Sequence, residues 1–120
     1  MDRNKILEKS VAFSVDVIRF CKVLERSREA DILGRQLIRS ATSIGANVHE
    51  AQAAQSKADF IAKISIAHKE ARETSYWLRL IHEAGLAAHD SIREIIDEND
   101  QMIKILSSIL LTSKQNHPNK

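Results

Sequence analysis

Residues that interrupt a helix are almost missing from this sequence. Its 120 residues include three glycines (Gly34, Gly45, Gly85) and a single proline, Pro118, close to the last residue. A many-stranded β fold needs a turn signal about every 8–12 residues, and this chain cannot supply them. Aromatic residues make up only 4% and hydrophobic residues 43%. The pattern that remains is a few long helices joined by short turns, in one domain with one core.

Four apolar periodicities fill the chain. The first predicts a helix over about residues 5–25, with Ile6, Phe13, Val17, Phe20, Cys21 and Leu24 on one face and Leu7, Val11 and Ile18 widening it. "RSREAD" breaks that pattern and offers Ser27 or Asp31 as a cap. The second helix is expected over about 32–54, along Leu33, Leu37, Ala41, Ile44, Val48 and Ala51. Ser56 opens "SKAD", close to a capping box, so the third helix is expected over 57–84. Gly85 stops it in a left-handed cap. "SIRE" signals a fourth helix over about 91–111, carrying Ile92, Ile95, Ile96, Met102, Ile103, Leu106 and Leu110, with residues 112–120 as a frayed tail. Short connections make successive helices antiparallel. The expected fold is all-α, an up-down four-helix bundle spanning residues 1–120.

The third helix carries more apolar surface than such a bundle needs. Phe60, Ile64, Ala67, Ala71 and Leu78 form a core stripe, Ile66, Trp77, Leu80 and Ala84 form a second beside it, and Ile81 lies between. Together they span about 200° of the helix, against the 100° or somewhat more that one core requires. The first helix is wide as well. One reading is that the third helix is simply the most central. The sharper reading makes Ile66, Trp77 and Leu80 contacts to another copy of the chain.

Lys63, Glu70 and Glu73 interrupt that arc, and a buried carboxylate needs donors. The second helix offers a polar side made of Gln36, Arg39, Ser40, Ser43, Asn47 and Glu50. A polar seam follows, linking Gln36, Arg39, Ser43, Asn47 and Glu50 to Glu73. It also gives a purpose to the stretch "SIGANVHEAQAAQ" (43–55), in which a glycine costs about 1 kcal/mol relative to alanine. The small residues let a neighbouring backbone come close, while Arg39, Asn47 and Glu50 fix the register. Asn99, alone among the isoleucines of the fourth helix, suggests the same role, since one buried Asn can specify a helical register.

Catalytic and metal signatures are missing from the sequence. A di-iron bundle needs two Glu-x-x-His pairs, whereas "EARE" supplies only Glu70 and Glu73. The five histidines (His49, His68, His82, His89, His117) show no His-x-x-x-His spacing, and no phosphate-cradling glycine loop or Gly-x-Ser-x-Gly elbow occurs. The expectation is a non-enzyme with no metal and no cofactor. Cys21 is the one cysteine, so no intramolecular disulfide can form, which fits a reducing compartment. The first residues lack the apolar core of a signal peptide, and no apolar run approaches a membrane span. A soluble, cytoplasmic protein is expected.

Net charge is only +2, but the charge is grouped. His68, Lys69, Arg72, Tyr76 and Arg79 share the outer face of the third helix, opposed mainly by Glu83. Arg19, Lys22 and Arg26 share the solvent side of the first. A basic stripe with an aromatic residue in it suits phosphates and a stacked base. A solvated helix face is the plainer reading of either stripe. Repetition around a symmetric oligomer would multiply its field.

"QLIRSATSIGANVHEA" followed by "SKADFIAKISIAHKEARETSYWL" resembles the bacterial four-helix-bundle family encoded in ribosomal RNA intervening sequences. That family includes the accessory variability determinant of diversity-generating retroelements. Its second-helix pattern falls here on Gln36, Arg39, Ser43, Ile44, Asn47 and Glu50, and its third-helix pattern on Phe60, Ile66, Ala67, Glu73 and Thr74. Many members have Gly where this chain has Ala51. The resemblance implies a ring-like homo-oligomer, a pentamer, with no known catalytic activity. For the retroelement members it implies binding of nucleic acid and of a reverse transcriptase through a basic outer surface. The functional expectation is therefore a non-catalytic oligomeric protein binding RNA or another nucleic acid. The alternative is a protein–protein scaffold or accessory subunit without that role.

Overall fold

The computed structural model describes residues 3–115, which form four helices: α1 (Arg3–Lys22), α2 (Arg28–Ala51), α3 (Lys57–Glu83) and α4 (His89–Gln115). No strand occurs among the described residues. Each helix packs on its neighbours in sequence and α1 also meets α4, while the backbones of the diagonal pairs α1/α3 and α2/α4 stay apart. The result is a square four-helix bundle 52 Å long and 20 Å across.

Side-chain caps decide where the helices begin. Of the two candidates before α2 it is Ser27 that acts, its Oγ accepting the Ala30 N–H at 3.1 Å. The helix therefore starts at Arg28, earlier than the expected residue 32, because Ala30 within the polar "RSREAD" run is buried in the core. Ser56 caps α3 by accepting the Asp59 N–H at 3.0 Å. Asp59 accepts in return from the Gln55 N–H rather than from Ser56, which varies the capping box.

Gly85, at φ 69°, closes α3. The Leu86 N–H reaches the Ile81 carbonyl and the Gly85 N–H the His82 carbonyl, with Leu86 folded into the core. That is a Schellman ending. Three other expected limits move. α1 stops at Lys22 rather than 25, because Leu24 packs from the connection onto Gly34 of α2. α2 stops at Ala51 rather than 54. α4 starts at His89, so Ser91 lies inside the first turn and does not cap it. It continues to Gln115, making 112–115 helical, while residues 116–120 lie outside the described part.

Register between α2 and α3 comes from a polar seam. Arg39 pairs with Glu73, sits 3.5 Å from Glu70 Oε1, and is steadied by donating from Nε to Gln36 Oε1 at 3.2 Å. Glu73 also accepts from Trp77 Nε1 at 3.0 Å, and Lys63 meets Glu50 at 3.1 Å. Deeper in, the Ser40 and Thr74 hydroxyls share a fully buried hydrogen bond of 2.8 Å. Asn47 departs from expectation. Its amide donates to the Ser43 carbonyl of its own helix and does not cross to α3, so neither it nor Ser43 sets register. Glu70, at 15% side-chain exposure, is the more buried carboxylate, against 32% for Glu73.

Gly45 serves a different neighbour from the one expected. It faces α1, not the seam with α3. A methyl group there would lie 3.5 Å from Ser10 Oγ and Ser14 Oγ and 3.6 Å from the Ser10 carbonyl, which is ordinary contact. The close approach owes as much to those serines, whose hydroxyls bond back to Leu7 and Ser10 carbonyls and so need no partner on α2.

Two further polar contacts join α4. Asn99 is buried and donates to the Ala71 carbonyl at 3.0 Å and to Ser75 Oγ at 2.9 Å, tying α4 to α3 as its position suggested. Between α4 and α1, Glu98 faces Asp16. Burial first, then hydrogen bonding to Asp16 and the Asp16 charge, push the Glu98 pKa up to about 7, with Glu94 adding to the effect and Lys9 opposing it.

Three outcomes follow from these contacts. Glu73→Ala removes the Arg39 pairing and the Trp77 acceptor, and is expected to cost about 1–2 kcal/mol. An unchanged melting temperature together with an unchanged native mass would contradict this. Gly45→Ala fits the space available and should raise stability by about 0.5–1 kcal/mol in chemical denaturation. Glu98 binds its proton more tightly folded than unfolded, so its contribution is full below the ordinary carboxylate range and is lost as pH rises through about 7. Melting temperature should therefore drop from about pH 5 to about pH 8, and Glu98→Gln should flatten that drop.

Candidate nucleic-acid interface

Three- and four-residue steps along α3 place Lys69, Arg72, Tyr76 and Arg79 on one line turned away from the core. All four side chains are exposed. Lys69 and Arg72 make no ion pair among the described residues, whereas Arg79 Nε is 2.8 Å from Glu83 Oε2 one turn later. Part of the Arg79 charge is thereby met within the helix.

His68 stands at the edge of this line and turns toward α4, with Nε2 2.8 Å from Ser107 Oγ. Burial and the neighbouring Arg72 charge hold its pKa below the usual histidine value. At neutral pH it is an uncharged link between α3 and α4, and Lys69 and Arg72 carry the field of the stripe.

The second basic group, Arg19, Lys22 and Arg26, is also exposed, with Arg26 in the connection after α1. It is not continuous with the first, because α1 and α3 stand on a diagonal. Lys22 and Arg26 border an open cleft of about 580 Å³ together with Cys21 and Arg35. Cys21 is half-buried against the Gly34 carbonyl, and burial pushes its thiol up to about 11. It is a packing residue in its protonated form.

Apolar side chains share the outer surface with these charges. On α1, Val11, Val15 and Ile18 are 50%, 38% and 41% exposed and follow four- and three-residue steps. Val11 and Ile18 were expected to widen the core face, and Val15 was not expected at all. Instead they lie outside the core, next in sequence to the Ser10 and Ser14 that face α2. On α3, Ile66 is exposed and Trp77 and Leu80 are half-buried on the side toward α2. Trp77 packs edge-on to Tyr76 with centroids 5.1 Å apart. Its indole N–H is already engaged by Glu73, so its unsatisfied surface is apolar.

Among the described residues, no three His, Cys, Asp or Glu side chains converge as metal ligands. No described helix is long and apolar enough to cross a membrane. At the end of the bundle that holds the α2–α3 connection, Arg3 lies over the Phe60 ring at 4.3 Å, beside an open groove of about 820 Å³. Local sequence held no signal for this pair or for Asp16–Glu98, whose members are far apart along the chain. Thr74 was legible only through the family pattern.

Comparison with known proteins places these features in context. The model of the 23S rRNA-intervening sequence protein family matches residues 2–108. A crystal structure of a protein of unknown function from the S23 ribosomal protein family of Bacteroides thetaiotaomicron is 39% identical. The match covers 92% of this chain and 98% of that one, with a TM-score of 0.84. No curated protein matches the chain. With an aligned family model over nearly its whole length and a solved relative of the same four-helix form, the chain belongs to the 23S rRNA-intervening sequence protein family.

Proposed function

We propose that the protein is a non-catalytic subunit of a ring-shaped homo-oligomer that binds RNA along its outer rim. The observation that carries this reading is the division of α3 into three faces. One is buried, one is apolar toward α2 (Ile66, Trp77, Leu80), and one is basic toward α4 (Lys69, Arg72, Tyr76, Arg79).

The two apolar stripes outside the core support a ring. Val11, Val15 and Ile18 flank α2 on one side, and Ile66, Trp77 and Leu80 flank it on the other. Adjacent faces of a square bundle point roughly 90° apart. A head-to-tail contact between two unlike faces closes into a ring, and this angle suits roughly four or five subunits. The fivefold ring implied by the family resemblance lies in that range. Arg72 and Arg79 lie on the far side of α3 from its apolar contact, while Tyr76 packs edge-on to Trp77 at its margin. Repeating the basic face around the rim builds a field that one copy, with Arg79 partly met by Glu83 and His68 uncharged, does not supply.

Phosphates would be held by Lys69 and Arg72, with Tyr76 available to stack a base and Arg79 and His68 at the edge. Arg19, Lys22 and Arg26 form a second, separate basic group on each subunit. The same partial neutralisation of Arg79 and His68, with a net charge of +2, favours the alternative of a protein–protein scaffold in which these faces are merely solvated.

Native mass spectrometry of the purified protein with a short RNA, at two salt concentrations, separates the readings. The RNA-binding ring predicts an oligomer of four or five copies that takes up RNA at low salt. Each phosphate contact should add a slope of about −0.7 to log affinity against log salt. Arg72→Glu should abolish uptake without changing oligomer mass. An oligomer that ignores RNA at low salt selects the scaffold, and a monomer overturns the ring.

A further inference from the structure

The α3–α4 connection brings two histidines together. His82 lies in the last turn of α3, and His89 opens α4. Their ring centroids are 5.7 Å apart and the rings are tilted by 52°. His89 is exposed and His82 half-buried. Neither imidazole makes a hydrogen bond or an ion pair among the described residues, so their nitrogens are engaged by nothing but each other's neighbourhood. As two cations the rings would repel, and their placement suits the neutral form that binds metals.

The backbone between them is already fixed. Gly85, at φ 69°, turns the chain, with its own N–H on the His82 carbonyl and the Leu86 N–H on the Ile81 carbonyl. The Ile92 N–H closes the first turn of α4 on the Ala88 carbonyl, and the Glu25 N–H holds the Leu86 carbonyl from the α1–α2 connection.

We propose that His82 and His89 jointly bind one late first-row divalent metal ion, of the class of Zn²⁺, Ni²⁺ and Cu²⁺, and so clamp the end of α3 to the start of α4. A ring nitrogen sits about 2.0–2.1 Å from such an ion. Two rings on one ion, at a tetrahedral or somewhat wider angle, therefore have centroids about 5–6 Å apart, and the observed separation falls in that span. Imidazole suits zinc, nickel and copper, whereas magnesium and calcium take oxygen ligands. No third His, Cys, Asp or Glu converges on the pair among the described residues, so the remaining positions go to water and the ion is exchangeable. Its hold comes from the folded turn, because closing the chelate orders two side chains and no backbone. The site requires nothing of the RNA-binding reading.

Calorimetric titration of the full-length protein with Zn²⁺, Ni²⁺ and Mg²⁺ at neutral pH tests the clamp. One Zn²⁺ or Ni²⁺ per chain is expected, with no uptake of Mg²⁺ at the same concentrations. His82→Ala and His89→Ala should each weaken binding about tenfold or more, since a chelate becomes a single ligand. His49→Ala and His117→Ala should leave it unchanged. At about pH 5 both rings are protonated and binding should be lost. Zn²⁺ should raise the melting temperature of the wild type, reversibly with EDTA, and of neither single variant. If one of those variants fails to fold, as judged by circular dichroism, the other carries the test. Absence of Zn²⁺ and Ni²⁺ uptake overturns the site. So does affinity unchanged by His82→Ala or His89→Ala, or one ion shared between two chains.

Discussion

The buried hydroxyl pair of Ser40 and Thr74 is the contact on which the arrangement of this bundle turns. Apolar stripes attract one another in any register, because the hydrophobic effect has no direction. Two hydroxyls fully enclosed between α2 and α3 are different. Sliding either helix by one turn would leave both facing hydrocarbon, although each also bonds a carbonyl of its own helix. The outer pairs Arg39–Glu73 and Lys63–Glu50 then fall into place above and below. Taken alone, exposed ion pairs of this kind contribute little. Their value here lies in agreeing with a register chosen deeper down.

Once α2 and α3 are aligned, the division of α3 follows. Seven residues per two turns cannot all be buried in a four-helix bundle, and α3 has apolar residues to spare on the side of α2. The charges on the side of α4 are held apart from them by the pitch of the helix alone. A helix with two partners inside the molecule thus presents two surfaces of opposite character outside it. α1 repeats this on a smaller scale, with Val11, Val15 and Ile18 running beside Arg19 and Lys22.

Much of this was legible in the sequence because it is local. The Ser27 and Ser56 caps, the Gly85 stop and the core stripes depend on residues within two turns of each other. Arg39 with Glu73 was legible because a carboxylate in an apolar arc demands a donor. Direction around a helix was less so. Gly45 and Asn47 are two residues apart, and one faces α1 while the other bonds to its own backbone. Asp16–Glu98 and the Arg3–Phe60 contact join residues with no pattern between them. Helix limits erred where burial continued through polar sequence, as at Ala30.

The two ends of the bundle are not equivalent. At one, the backbone N–H of Glu25 reaches the Leu86 carbonyl at 3.0 Å, so the α1–α2 and α3–α4 connections are stitched directly together. At the other, Arg3 and Ser113 border the same groove, so both limits of the described chain emerge side by side. In a cyclic assembly of the kind proposed, the pole bearing Arg3 and Ser113 would form one rim and the stitched loops the opposite one, a polarity that no side chain at either rim has to encode.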